Sequence, residues 1–107
     1  MSFTHNKTGG TYYKVATGAV VNPEGLVDHA PFVAYRTITE EGVFVCHRAH
    51  YEHQELNMIV HEGRMQTDNP LTKGDEVIIY IAKSDQTKWC RPTQEWAERF
   101  TNMEYPH

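Results

Sequence analysis

The sequence predicts a mainly β domain, a small β-barrel of five to seven strands built from hairpins, with one or two short helices. Three observations carry this reading. Val77 to Ala82 is an unbroken apolar run rich in β-branched residues, Tyr12 to Val21 and Phe32 to Ile38 have strand-like patterns, and Gly, Pro, Asn and Asp punctuate the stretches between them. In the central run Val77, Ile79 and Ile81 face one side and Ile78, Tyr80 and Ala82 the other. Both sets are apolar, so this strand is expected to be covered on both faces.

Taken in order, residues 1–10 are polar and end in Thr8-Gly9-Gly10, the composition of a flexible N-terminal arm. A single β-rich domain is expected over 11–100 and a C-terminal tail over 101–107. Tyr12 to Val21 is the first strand, with Gly18 signalling a bulge or bend, and Asn22-Pro23-Glu24-Gly25 is a turn. After an irregular connection from Leu26 to Pro31, Phe32 to Ile38 and Val43 to Cys46 form a hairpin around Thr39-Glu40-Glu41-Gly42. His47 to Leu56 has the composition of a helix of about two to three turns. Met58 to His61 and Arg64 to Gln66 flank Glu62-Gly63 and read as another hairpin, and Thr67 to Asp75 is loop chemistry. Beyond the central strand, Thr87 to Cys90 returns as its hairpin partner and Arg91-Pro92 ends the ladder, since proline lacks an N–H. Thr93 suits the N-cap of a closing helix on which Trp96 and Phe100, four apart, would share the face that covers the sheet.

The unit of strand, acidic turn and strand occurs twice. The two register at a shift of about 45 residues, matching Tyr35 with Tyr80, Phe44 with Trp89 and Tyr51 with Trp96, three matches that fit either a duplication or a chance recurrence in a hairpin-rich chain.

Three short pieces, Gly10-Thr11-Tyr12-Tyr13-Lys14-Val15, Phe32-Val33-Ala34-Tyr35-Arg36, and Trp89-Cys90-Arg91-Pro92 with Glu95, Trp96 and Phe100, carry a resemblance. Together they resemble a family of small bacterial and phage domains of unassigned function with a G-x-Y-x-V opening, a V-V-Y-R-type strand and a closing W-x-R-P-x-x-x-F. The chain departs from that pattern by an additional unit, roughly Val43 to Gly74. The resemblance implies an SH3-like or half-open small barrel from a phage or a bacterium, and it implies no activity.

Composition narrows the function classes. At 107 residues the chain is one domain, and twelve aromatics with only 39% hydrophobic residues imply a thin core that a homodimer or higher oligomer would complete. The net charge of −4 and ten scattered basic residues argue against duplex nucleic acid, which needs a basic stripe. Two cysteines make no disulfide framework, and neither a signal peptide nor a long apolar run is present, so a cytoplasmic protein without membrane attachment is expected.

Cys46, His47, His50 and His53 fall close together. On a helix His47 and His50 are neighbours and His53 lies further round, a set that would take zinc only with ligands from elsewhere. Solvated histidines are the ordinary reading, and no cofactor is expected. Cys46 and His47, adjacent on a strand, point to opposite faces, so both cysteines read as core residues. The carboxylates sit mostly in turns and form no general acid and base pair. Arg36, Arg48 and Arg91 stand at strand ends beside aromatics, an arrangement that anchors interfaces or stacks a base and clamps a phosphate. The expected function is therefore a non-enzymatic binding module that occupies a partner protein through Tyr35, Arg36, Arg48, Trp89, Arg91 and Trp96. One alternative is sequestration of a small nucleotide or signalling molecule by the same side chains. The other is a metalloprotein ligated by His47, His50 and His53.

Overall fold

A computed structural model describes residues 2–5, 9–36, 42–52 and 58–102. The elements are β1 (Ser2–His5), β2 (Thr11–Asn22), β3 (Pro31–Arg36), β4 (Val43–His47), α1 (Arg48–Tyr51), β5 (Met58–Met65), β6 (Glu76–Ala82), β7 (Lys88–Pro92), α2 (Thr93–Arg99) and β8 (Phe100–Asn102). Strand alternation sorts their side chains into three interiors. Val77 and Ile79 of β6 enter a central core with Val20, Phe32, Ala34, Val45, Met65 and Cys90, while Ile78 and Tyr80 turn outward to meet Trp96 of α2. On β3, Phe32 and Ala34 point to the same central core, whereas Val33 and Tyr35 join Cys46, Val21, Phe44 and Tyr51 in a second outer cluster that includes α1. The central strand is thus covered on both faces, as its composition requires.

The core lies inside a closed six-stranded barrel. Its hydrogen-bonded ring runs β2, β4, β3, β5, β7, β6 and back to β2, with β1 and then β8 attached to the outer edge of β2. The expected small β-barrel with two short helices is what forms. The β3–β4 and β6–β7 hairpins are present, but closure depends on two parallel pairings, β2 with β4 and β5 with β7. Of the residues expected as an arm and a tail, Ser2, Phe3 and Thr4 pair with β2, and Thr101 and Asn102 pair with β1.

Adding 45 to the residue numbers of one half gives the pairing register of the other. Val33 with Cys46 becomes Ile78 with Arg91, and Ala34 with Val45 becomes Ile79 with Cys90. Across the seam between halves, Thr17 with Ile78 becomes Glu62 with Val33, and the ladder break between Lys14 and Ala16 recurs between Ile59 and His61. The chain is therefore two βββα units, and exchanging them maps the ring of pairings onto itself.

Three sequence expectations change. Met58–Met65 is one continuous strand and not a hairpin around Glu62-Gly63. Gly63 does not turn the chain; a Cβ there would lie 2.1 Å from the Lys88 carbonyl oxygen, so glycine is required for β5 to approach β7. Its counterpart Gly18 approaches Val43 in the same way, with a Cβ 3.1 Å from that carbonyl oxygen. The helix expected from His47 to Leu56 is described only as the single turn Arg48–Tyr51, capped by His47, and 53–57 lie outside the described residues. Phe100 opens β8 instead of extending the helical face begun by Trp96. Thr37 and Ile38, expected to end the second strand, also lie outside the described residues.

Gly63→Ala is expected to destabilise the fold by about 3 kcal/mol, because the obstacle is backbone that must move as a unit. Gly18→Ala should cost less. Urea unfolding of the two variants beside the parent checks both the size and the order.

Candidate functional site

A cleft opens beside the crossing at Gly63. Strands β5 and β7 pair only at Arg64 with Trp89 and Met65 with Cys90. Upstream of that point they splay, leaving a cleft of about 800 Å³ between Ile59 to Arg64 on one wall and Gln86 to Trp89 on the other, with Pro31 and Arg48 at its border. The second wall is held firmly. Asp85 accepts hydrogen bonds from the Thr87 hydroxyl at 2.7 Å and the Thr87 backbone N–H at 3.1 Å, which hold its carboxyl below the usual carboxylate range. Trp89 Nε1 donates to Thr87 Oγ1 at 3.0 Å, and Gln86 reaches back to the Lys83 carbonyl.

Three cations converge here. Arg48 pairs with Glu62 at 2.6 Å, both about half exposed. Arg64 donates to the His29 carbonyl oxygen at 3.1 Å, and Lys88 Nζ lies 3.1 Å from His61 Nδ1. An ammonium only donates, so His61 Nδ1 accepts and its ring proton sits on Nε2. Burial, then the charges of Lys88 and Arg36, push the His61 pKa below its ordinary value, keeping the ring neutral. Among the described residues, Arg64 and Lys88 make no ion pair, so their charges are left to the cleft.

The residues singled out from the sequence divide. Arg48 and Trp89 line the cleft. Arg36 ends β3 opposite Met58 and contributes to the field at His61. Tyr35 is buried, its ring 5.2 Å from Tyr51 and 6.0 Å from Phe44. Trp96 is buried edge-on against Tyr80 with ring centroids 4.9 Å apart. Arg91 is 5% exposed and Glu95 4%. Its guanidinium donates to Gln66 Oε1 at 2.7 Å and Glu95 Oε1 at 3.4 Å, and Tyr80 OH donates to the same Gln66 oxygen. Burial pushes the Tyr80 hydroxyl up to about 12. These three residues therefore sit in the packed interior, away from the cleft surface.

His47 and His50 stand with ring centroids 6.1 Å apart, but each Nδ1 is engaged, His47 by the Ala49 amide and His50 by Asn22 Nδ2. His53 lies outside the described residues, and among those described no group of three His, Cys, Asp or Glu is placed to hold a metal. Cys46 and Cys90 are both buried thiols, in separate clusters; burial raises Cys46 to about 11 and Cys90 further still.

Sequence reasoning did not bring His61, Arg64 and Lys88 together, because it placed a turn at Glu62-Gly63. The repeat contained the corrective signal, since it aligns Gly63 with Gly18 in mid-strand. No protein-family model, no curated protein and no solved structure matches the chain. The resemblance seen in the sequence thus holds at the level of a small barrel. No helix among the described residues is long and apolar enough to cross a membrane.

Two outcomes follow from the titratable groups. The unfolded state binds more protons than the native state between the lowered His61 pKa and about 6.5, so stability declines as pH falls through that window. NMR titration should place His61 below 6.5 in the parent, and Lys88→Met should move it upward. Both cysteines should resist a water-soluble disulfide reagent in the native protein and react in denaturant, as buried thiols held protonated do; reaction of either under native conditions would contradict their placement.

Proposed function

We propose that the protein is a non-enzymatic binding module of the phage or bacterial accessory kind, a cytoplasmic homo-oligomer that occupies a partner protein through the cleft between β5 and β7. The observation that carries this reading is the convergence of Arg48, Arg64 and Lys88 on one cleft of a chain whose net charge is −4. Beside them stand the half-buried Trp89 and the exposed Ile59 and Met58, at 37% and 63%. Arginine, an aromatic and partly exposed apolar side chains in one place are interface chemistry. Local positive charge would also steer an acidic partner to this face.

A second reading has its own support. The cleft volume lies within the range of small-molecule sites, and two cations without an ionic partner beside an indole suit a small nucleotide or signalling molecule.

A photo-crosslinking residue at Gln86 is expected to capture one partner species in cells of the source organism, where the same residue at Glu24, outside the cleft lining, captures none. Arg64→Glu with Lys88→Glu should weaken the purified complex by about a hundredfold. Equal capture from both positions, or unchanged affinity of the double variant, would overturn the protein-binding reading. A nucleotide that raises the melting temperature only when Arg64 and Lys88 are intact would favour the second.

A further inference from the structure

The two halves differ in how the outer edges of their first strands are covered. The outer edge of β2, upstream of its crossing with β4, carries β1, which pairs antiparallel with Thr11, Tyr12 and Tyr13. The equivalents of those positions on β5 are 56, 57 and Met58, of which Met58 is described. From Met58 to Glu62 the strand is paired to β3 on one side, and among the described residues no strand pairs with it on the other. That open side is the mouth of the cleft. A strand with one neighbour turns the N–H and C=O of alternate residues outward, ready to bond another chain.

Resting on the reading of the cleft as a protein-binding site, we propose that its occupant is an extended acidic peptide segment of the partner, added as a strand along Met58 to Glu62 as β1 is added to β2. Three features select this form. The edge of five residues is ~17 Å long, enough for a short strand. The cations at its border ask for carboxylates: Arg64 and Lys88 are held by a carbonyl and a neutral imidazole, which orient them without neutralising them. Exposed Met58 and Ile59 offer apolar contacts to alternate side chains of the added strand. Main-chain hydrogen bonds would supply register, and charge would choose between acidic and basic segments.

The test uses the full chain and a synthetic peptide of about eight residues with alternating Glu and Val. The expected result is slowed amide exchange confined to Met58 to Glu62. Affinity should fall by about tenfold or more when alternate peptide nitrogens are methylated, when Lys replaces Glu in the peptide, or in Arg64→Glu/Lys88→Glu protein. Undiminished binding of the methylated peptide would overturn strand addition while leaving a charge-reading cleft in place. Absence of binding at about 1 mM, the weak end of specific recognition, would overturn it too. Protection of the same amides without peptide, rising with protein concentration, would assign the edge to a second copy of the chain and overturn the peptide as occupant. The crosslinked partner of the preceding section seated at Gln86 without protecting these amides would sink strand addition alone; no cleft-specific partner at all would sink the reading beneath it.

Discussion

The barrel depends on how closely two pairs of parallel strands can lie. At each crossing a glycine faces a carbonyl, Gly18 toward Val43 and Gly63 toward Lys88, and at Gly63 a single added carbon would sit well inside van der Waals contact distance of the carbonyl oxygen. Without that approach β2 could not reach β4, nor β5 reach β7, and the sheet would end in open edges instead of a ring. The same constraint produces the cleft. Strands that pair for two residues and then diverge leave a gap between them.

Equal backbones have been furnished with unequal chemistry. In the first unit the outer cluster contains Val21 and Cys46; their equivalents in the second are Gln66 and Arg91. Asn22 reaches His50 where Thr67 reaches Glu95. Burying Arg91 against Glu95 costs desolvation that their attraction only roughly offsets, so the pair is a weak source of stability. Its effect is positional. Glu95 also accepts the Asp68 amide at 2.9 Å, which ties the loop after β5 to α2, and Gln66 joins Arg91 to Tyr80. The second unit, which supplies both cleft walls, is thus the one braced by polar cross-links.

Much of the fold was legible because β periodicity is a local property. Val77 to Ala82 is apolar on both faces and can only be a doubly covered strand; Phe32 to Arg36 and Tyr12 to Val21 declare themselves the same way. The repeat was visible in three aromatic matches, Tyr35 with Tyr80, Phe44 with Trp89 and Tyr51 with Trp96, and these are now seen to occupy matching places in the two outer clusters. What could not be read locally was the parallel pairing, which joins strands whose sequences hold no record of their neighbours. Gly63 illustrates the difficulty: beside Glu62, a glycine signals a turn unless the strand that passes it is known. The arginines next to aromatics were a partial guide to the site. Arg48 and Trp89 reach the cleft, whereas Arg91 and Trp96, equally suggestive in sequence, are enclosed by packing that only the tertiary structure reveals.

The exchange of strands between halves bears on how the chain comes to be folded. Neither βββα unit closes on itself: β2 needs β6 and β3 needs β5, so each half leaves its partner's seam exposed until both are made. During synthesis the first unit must wait, with Phe32, Val45 and Val20 in water, until Ala82 has left the ribosome. Long loop closures of this kind delay the reward of contact formation and slow folding. They also leave a waiting half free to accept the corresponding half of a neighbouring chain, since the two seams are alike. The architecture that closes the ring of strands in the finished molecule therefore makes it sensitive, while being made, to the concentration of its own nascent copies.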